Sequence, residues 1–189
     1  MGRWQPDARG RLERAALELD VECGFEQTTV AQIARRAGLT ERTFFRHYAD
    51  KREVLFGGSA MLQELFVTAA RGVPESAPPM DAVAAAIGAG AASIQERGDY
   101  ARQRQSVIAA NPELRERELI KLASLSAALS DTLRERGVSD TTAQLAAEAG
   151  IAVFKVGFER WIDSGQQHPL PDVVRDCLDE LKSVAAARH

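Results

Sequence analysis

The chain has 189 residues, a formal charge of −3, 45% hydrophobic residues and only 6% aromatic residues. This length suits one small domain joined to a larger helical body, or a single domain at the upper end of the usual size. Cys23 and Cys177 lie far apart, without metal-ligand spacing or a histidine cluster, which argues against a zinc site or a disulfide framework. The first residues form no apolar leader, and no apolar run approaches the roughly 20 residues that span a bilayer, so we expect a soluble cytoplasmic protein.

Apolar residues at helical spacing predict a first helix from about Pro6 to Cys23, which Gly24 ends. The inner stripe of this helix consists of Leu12, Ala15, Ala16, Leu19 and Cys23. A second helix follows, and either Thr28 or Thr29 is expected to be its N-cap, because a threonine hydroxyl accepts from the free amides of a first turn. Two successive helices therefore begin the chain.

Residues 29–55 predict the second helix, a sharp turn and a third helix. The inner stripe of the second helix consists of Val30, Ile33, Ala34 and Ala37. Gly38 follows where a short turn needs a residue that tolerates positive φ, and Thr40 begins the next helix as its N-cap. The pattern is that of a helix-turn-helix, whose second helix can enter a DNA major groove.

The helix that follows Thr40 has one apolar face and one polar face. Leu39, Phe44 and His47 are expected to pack inward. The outward face then carries Glu41, Arg42, Phe45 and Arg46. Residues 35–52 contain six arginine or lysine residues and two acidic residues, so the patch is basic on an otherwise acidic molecule. Such a patch indicates a local phosphate contact, the alternative being a solvated basic face.

This block resembles the TetR family of transcriptional repressors. The matching residues are Ile33-Ala34, Ala37-Gly38-Leu39, Thr43-Phe44-Phe45-Arg46-His47-Tyr48, Lys51 and Leu55. They cover about the first 55 residues and form a specific pattern, because every position must hold its spacing. A small helical hairpin with a charged solvent face is the alternative. The resemblance implies a DNA-binding head over residues 1–50 and a ligand-binding and dimerisation body over residues 51–189.

The candidate DNA contacts lie on and around the third helix. Arg42 and Arg46 are expected to reach base edges, since arginine pairs bidentately with guanine. Phosphate contacts are expected from Thr29, Tyr48 and Lys51. The full predicted set is Thr28, Thr29, Thr40, Glu41, Arg42, Thr43, Phe45, Arg46, His47, Tyr48 and Lys51.

Every segment beyond the head predicts helix. A fourth helix is expected from about Asp50 or Lys51 to Arg71, and the prolines of residues 72–79 then impose a loop. Further helices are expected over residues 81–97, 100–110, 112–136, 140–164 and 171–187. No strand-like alternation appears, so we expect an all-α fold with about nine helices.

Two late segments are candidates for a dimer interface. The segment 143–162 is apolar on nearly every side, and the last helix carries apolar residues at helical spacing. The resemblance to TetR proteins implies that the two segments form a four-helix bundle in a homodimer; alternatively both fill one monomeric core. The predicted interface consists of Ile151, Phe154, Phe158, Trp161, Val174, Leu178 and Leu181.

The resemblance also implies a ligand cavity among the middle helices. The predicted walls are Met61, Leu65, Phe66, Ile87, Ile94, Ile108, Leu122, Leu125 and Phe154, with Arg102, Gln103 and Arg104 as polar anchors. Each residue can instead fill the core. The run 111–118 resembles a TetR subgroup with a mycofactocin-regulator-like C-terminal domain, whose effectors include acyl-CoA thioesters. Charged i, i+4 pairs on a solvent face explain the same run.

An enzyme is the first alternative to a DNA-binding regulator. His47, His168 and His189 accompany no serine or cysteine nucleophile motif, and Gly88 to Gly90 follow no strand and precede no P-loop lysine. A non-specific architectural DNA binder, the third class, is expected to carry more positive charge. We therefore expect no catalytic residue, cofactor or metal. The expected function is a ligand-responsive repressor that binds a palindromic operator as a homodimer and is released by a small hydrophobic effector such as an acyl-CoA.

Overall fold

A computed structural model describes residues 7–165 and 167–186. Over these residues the chain forms nine α-helices and one short 3₁₀ segment, and none of them lies in a strand. The helices are α1 (Ala8–Cys23), α2 (Val30–Arg36), α3 (Glu41–His47), α4 (Ser59–Arg71), α5 (Pro79–Gln95), α6 (Gly98–Ala110), α7 (Pro112–Glu135), α8 (Asp140–Asp163) and α9 (Leu170–Ala186). The expectation of an all-α fold is confirmed. The predicted helix ends at Pro6 and residue 187 lie outside the described residues.

The predicted fourth helix is wrong at its start. The chain instead forms the 3₁₀ segment (Arg52–Phe56), and α4 begins only at Ser59. Gly57 and Gly58 separate the two elements, and glycine is a poor helix residue because it loses the most backbone freedom. A Cβ at Gly57 would collide with the Glu13 carboxylate and approach the Tyr48 hydroxyl to 2.7 Å, so a glycine is required where these side chains meet.

The chain divides into two compact units. The head unit runs to Ser59 and resumes over Tyr100–Leu119, and the body unit covers Ala60–Asp99 and resumes at Ile120. This division differs from the predicted boundary after residue 50, because α6 and the start of α7 belong with the head. Their buried residues Val107, Ile108 and Leu114 are part of the same apolar core cluster as α1 and the 3₁₀ segment.

The body unit is built on the mutual packing of α5, α8 and α9. Gly157 on α8 permits close approach of α9, since a Cβ there would lie 2.9 Å from a methyl group of Val174. The rings of Phe66 and Phe154 meet edge to face, with centroids 5.2 Å apart. No helix among the described residues is long and apolar enough to cross a membrane.

Part of the predicted dimer interface is instead the core of one chain. Trp161 and Val174 are almost completely buried within the body unit, and Phe154, Leu178 and Ile151 are buried as well. A side chain that is covered within its own chain has no surface left for a partner. The half-buried Phe158 and Leu181 keep some accessible surface.

Candidate nucleic-acid interface

The N-terminus of α2 is fixed by a capping box. Thr29 is the N-cap: its hydroxyl accepts from the Gln32 amide at 3.2 Å, and the Gln32 side chain accepts from the Thr29 amide at 2.8 Å. Thr28 is buried, and its hydroxyl donates to the Gly24 carbonyl at 3.0 Å. Of the two predicted caps, Thr29 is therefore the correct one and is exposed at the surface, whereas the side chain of Thr28 is buried and is not accessible to DNA.

The turn between α2 and α3 has the predicted chemistry. Gly38 adopts φ +67°, in the left-handed region, and the Leu39 amide donates to the Ala34 carbonyl at 2.8 Å. Thr40 is the N-cap of α3, and its hydroxyl accepts from the Thr43 amide at 3.2 Å. The turn is thereby closed on both sides, which fixes α3 on α2.

The outward face of α3 is the predicted one. Phe44 is completely buried, and its ring meets that of Phe45 edge to face at 5.5 Å. Phe45 itself is 55% exposed. The other exposed residues of this face are Glu41, Arg42 and Arg46. An exposed aromatic ring beside two exposed arginines can contact base edges and thymine methyl groups in a major groove.

The remaining predicted contacts of this helix lie at its two ends. Thr40 is exposed and Thr43 half-buried, and their hydroxyl oxygens are 3.1 Å apart. His47 is half-buried, with its ring centroid 6.5 Å from that of Tyr48. The Thr40 hydroxyl caps the helix, and the predicted DNA contacts of Thr40, Thr43 and His47 stay predictions.

Tyr48 is a core residue. Its hydroxyl donates to the Glu13 carboxylate at 2.8 Å and accepts from Arg9 at 3.3 Å. Burial, together with the neighbouring Glu13 carboxylate, raises the pKa of Tyr48 above its usual value. The predicted phosphate contact is wrong, because the hydroxyl lies in the interior of the head unit.

Lys51 also serves the interior of the head. Its ammonium donates to the carbonyls of Phe25 at 2.5 Å and Thr28 at 2.9 Å, and it lies 4.0 Å from the centroid of the Phe25 ring. The lysine thus stabilises the turn between α1 and α2. The helix start predicted at this position is wrong, because the segment that follows is a 3₁₀ helix, whereas a phosphate contact from the third N–H of Lys51 stays a prediction.

Fewer basic side chains are available to bind DNA than the sequence of residues 35–52 suggests. Arg36 pairs with Glu22 at 2.8 Å and with Glu18 at 3.5 Å, both on α1. Arg52 pairs with Asp50 at 2.7 Å. Glu18 and Glu22 lie 18 and 14 residues before Arg36, so a count of charges over residues 35–52 did not include them. Three other basic residues of the patch, Arg35, Arg42 and Arg46, are exposed, and two of them, Arg42 and Arg46, lie on the outward face of α3.

The predicted ligand residues are divided between the two units. Those within the body unit and buried are Phe66, Ile87, Leu125 and Phe154, whereas Leu65, Ile94 and Leu122 are half-buried and Met61 is exposed. Arg102, Gln103, Arg104 and Ile108 belong to the head unit. Ile108 is completely buried in the core of the head, so its assignment to a ligand wall in the body is wrong.

Arg104 is likewise no anchor in the body. Its guanidinium donates to the Leu55 carbonyl at 2.7 Å and lies 4.8 Å from the centroid of the Phe56 ring. These contacts fix α6 on the 3₁₀ segment. Within the described residues no group of three histidine, cysteine or acidic side chains is placed to hold a metal ion.

Comparison with known proteins gives a sequence division between residues 56 and 77, so that residues 100–119, which pack with the head unit, fall within the C-terminal match. Residues 13–56 match the profile of bacterial regulatory proteins of the tetR family, and residues 77–186 match that of the MftR C-terminal domain. The chain is 41% identical over 78 residues to the HTH-type transcriptional regulator TcmR of Streptomyces glaucescens; the match covers 41% of this chain and 34% of TcmR. The chain thus spans about a third of the length of that relative.

Two further similarities extend over most of the chain. A protein of Mycobacterium tuberculosis described as a mycofactocin biosynthesis transcriptional regulator, MftR, is 27% identical over 169 residues, covering 86% of this chain and 83% of its own. The crystal structure of FadR from Bacillus subtilis in complex with stearoyl-CoA superimposes with a TM-score of 0.63 at 19% identity, covering 90% of this chain and 95% of that one. At this identity the structural likeness establishes the fold alone.

Proposed function

This chain belongs to the TetR family of bacterial transcriptional regulators, with an MftR-type C-terminal domain, and we propose that it represses its target genes by occupying a palindromic operator as a homodimer. A small hydrophobic effector, such as a fatty acyl-CoA, then releases it from DNA. The family and its relatives are DNA-binding transcriptional regulators and not enzymes. We place this activity in the cytoplasm, where operator DNA is accessible.

The exposed face of α3 is the observation that carries DNA recognition. Arg42, Phe45 and Arg46 project from one side of a short helix whose other side is anchored by the buried Phe44. A recognition helix needs this combination, because side chains that read bases must be accessible while the helix itself is rigidly held. Arginine reads guanine bidentately, and each such pair contributes about 1–3 kcal/mol of discrimination.

Dimerisation is supported by an apolar stripe on α8 that one chain leaves uncovered. Leu145 is 66% exposed and Val156 is 48% exposed. Ala149 and Ala152 lie between them at helical spacing. On α9, which packs against α8, Val184 is 67% exposed. We assign this stripe to a second copy of the chain, because a two-fold dimer presents two heads to the two halves of a palindrome.

The acyl-CoA proposal draws on two observations. The FadR structure with a similar fold contains stearoyl-CoA. The body unit of the present chain holds large apolar side chains, among them Phe66, Ile87 and Phe154, which suit a hydrocarbon ligand. For release, the effector must bind better to the conformation that has lost its fit to DNA. A 100-fold loss of DNA affinity requires about 2.7 kcal/mol of coupling between the two sites.

Selection of binding sites from a random duplex pool, followed by sequencing, tests the proposal. A repressor dimer should enrich a palindrome whose half-sites lie about one helical turn apart. Binding to the selected duplex should resist excess non-specific DNA, and stearoyl-CoA should reverse it. Enrichment of no sequence would reject specific recognition in favour of a non-specific binder. Retention of the duplex at sub-millimolar stearoyl-CoA, without calorimetric binding, would reject this effector while leaving operator binding intact.

A further inference from the structure

A pocket of about 380 Å³ lies within the head unit, where the C-terminal ends of α1 and α6 meet. Its lining residues fall within 20–26 and 106–111, and all of them belong to the head unit. The apolar side chains on which the acyl-CoA proposal draws belong to the body unit instead. The pocket is therefore a different site from the one proposed for that effector.

The pocket is lined in part by a buried carboxylate that has no donor. Asp20, near the end of α1, is only 4% exposed, and neither of its carboxylate oxygens has a hydrogen-bond partner among the described residues. The nearby Thr28 hydroxyl donates to the Gly24 carbonyl at 3.0 Å. The nearby Lys51 ammonium donates to the carbonyls of Phe25 and Thr28. Because buried carboxylates are normally hydrogen-bonded or paired, the protein leaves Asp20 in need of a donor.

The polar side chains on the α6 side of the pocket do not supply this donor. The Ser106 hydroxyl donates to the Gln103 carbonyl at 2.7 Å, and the Asn111 side-chain amide donates to the Val107 carbonyl at 2.6 Å. Both bonds stay within the last turns of α6 and the residue that follows it. A donor for Asp20 must therefore come from a molecule that enters the pocket.

The charge of the pocket favours a cation. Burial raises the pKa of Asp20 to about 6, so its carboxylate is mostly ionised at pH 7.5. The exposed Glu26 is the second acidic residue of the lining, which contains no lysine, arginine or histidine. The last turn of α1 carries no basic side chain, and the free carbonyls of a helix C-terminus are themselves partly negative. An anion is disfavoured at this site for the same reasons.

An organic ammonium group suits the pocket better than a metal ion does. Calcium and magnesium require about six or more oxygen ligands, and no group of three histidine, cysteine or acidic side chains among the described residues is placed to hold a metal. An ammonium group needs only a carboxylate and brings three N–H donors. The remaining walls include the buried apolar side chains of Phe25 and Val107, which suit the hydrocarbon part of such a molecule.

We propose that this pocket binds a small organic amine, whose ammonium group donates to Asp20 and whose apolar part packs on Phe25 and Val107. Rotation of the Asp20 side chain brings its oxygens onto the ammonium group, so the ligand supplies the donors that the protein does not. The amine binds the folded head only, and it therefore stabilises that unit. This site goes beyond the proposed function and depends neither on operator binding nor on the acyl-CoA effector.

Calorimetric titration of the full-length protein with phenethylammonium chloride at pH 7.5 tests the proposal. Neutral phenethyl alcohol and anionic phenylacetate are the comparison probes, because they keep the ring and change the charge. The wild-type chain should bind the ammonium about tenfold or more tightly than either comparison probe. Asp20→Asn should weaken binding of the ammonium by about tenfold or more and leave that of phenethyl alcohol unchanged. This variant should fold, because it removes a buried charge without changing the size of the side chain.

A second pair of variants tests the location of the site. Ala110 is an exposed residue of the pocket lining, so Ala110→Trp should fold and place a large ring in the pocket. It should weaken binding of phenethylammonium by about tenfold or more. Ala109→Trp is the matched control: it adds the same ring at the preceding exposed position, which does not line the pocket, and should retain the wild-type affinity.

Three outcomes would overturn the amine site. Absence of phenethylammonium binding to the wild-type chain at millimolar concentrations would show that the pocket holds water only. Equal affinity of the wild-type chain and Asp20→Asn for the ammonium would show that the carboxylate is not the recognition group. Equal losses in Ala110→Trp and Ala109→Trp would place the binding outside the pocket. Because the titrations contain no DNA, a failure of the proposed function would leave each of these results unchanged.

Discussion

The hydroxyl of Tyr48 donates a 2.8 Å hydrogen bond to the carboxylate of Glu13, and both side chains are buried. The bond joins the end of the recognition helix to α1, 35 residues earlier in the chain. A buried carboxylate requires hydrogen-bond donors or a paired charge. The Tyr48 hydroxyl and the Arg9 guanidinium together supply these to Glu13. The recognition helix is therefore anchored at its C-terminal end by a polar contact in addition to the buried Phe44.

Tyr48→Phe should destabilise the head without changing how DNA is bound. Removal of the hydroxyl leaves the buried Glu13 carboxylate with one donor fewer, which costs about 1–3 kcal/mol. Urea unfolding measures this loss. The salt dependence of DNA binding should keep the wild-type slope, since the hydroxyl contacts no phosphate. A slope smaller by about one would show that Tyr48 does reach the backbone.

Arg42→Ala and Arg46→Ala should each weaken operator binding by about 1–3 kcal/mol and relax the base preference at one position per half-site. Both side chains are exposed on the reading face of α3, so truncation should leave the fold intact. Titrations against single-base operator variants measure the preference. Arg115→Ala, at an exposed position outside this face, should retain it. An unchanged preference in both α3 variants would contradict the assignment.

Lys51→Met should destabilise the head by about 1–3 kcal/mol, because the carbonyls of Phe25 and Thr28 lose a charged donor. Thermal and urea unfolding report the change. At temperatures where the variant is fully folded, the dependence of its DNA affinity on salt concentration should have the same slope as that of the wild type. Lys155→Met is the control: that lysine forms only a surface pair with Glu159 at 3.9 Å and should matter little. A stable Lys51→Met protein with a reduced salt slope would show that Lys51 contacts a phosphate as well.

Val156→Glu should convert the protein to a monomer. The substitution places an unpaired carboxylate in the apolar stripe of α8, and burying it against a second copy costs several kcal/mol. Because Val156 is already 48% exposed, the monomer itself should fold. Sedimentation gives the oligomeric state. Val21→Glu, at a 53% exposed position of the head unit, should sediment as the wild type does. A Val156→Glu protein that remains dimeric would place the interface elsewhere.

Asp20→Asn should stabilise the protein at neutral pH and have little effect near pH 4. Burial raises the pKa of Asp20 to about 6, although Thr28 and Lys51 act in the opposite direction. The folded protein therefore binds the Asp20 proton more tightly than the unfolded chain does. Protonation of Asp20 stabilises the folded state fully below about pH 4, and this stabilisation is lost as the pH rises to about 6. The gain at pH 7.5 should be about 2–3 kcal/mol by urea unfolding. Asp176→Asn, on the exposed face of α9, is the control. A similar gain in stability for this variant, or a gain for Asp20→Asn that does not depend on pH, would contradict the raised pKa of Asp20 as the cause.

The helix-turn-helix was predictable from the sequence because its signals are local. Thr29 and Thr40 bond to amides three residues away, and Gly38 adopts the positive φ that its turn requires. The inward Phe44 and the outward Arg42 follow from helical spacing alone. Signals of this kind act within one or two turns of the chain, so they are visible without a structure.

The roles that the sequence did not reveal depend on distant partners. Lys51 bonds to Phe25 across 26 residues, and Arg104 bonds to Leu55 across 49. By residue type alone, a lysine that follows a recognition helix or an arginine on a middle helix is suited to bind an anion when its side chain faces outward. Only the fold shows that these two point into the head. The same applies to Asp20, whose burial no local pattern indicated.

The head unit is formed from two separate stretches of the chain, and this affects the order in which it can fold during synthesis on the ribosome. Its core is completed by Val107, Ile108 and Leu114, which emerge only after all of α4 and α5 have been made. Until then, Leu55 and Phe56 lack part of their apolar cover. The nascent chain therefore cannot finish its DNA-reading part first and its sensing part afterwards, in the order usual for successive domains. A truncated product that ends before residue 100 should accordingly be a substrate for chaperones and proteases, and not a constitutive competitor for the operator.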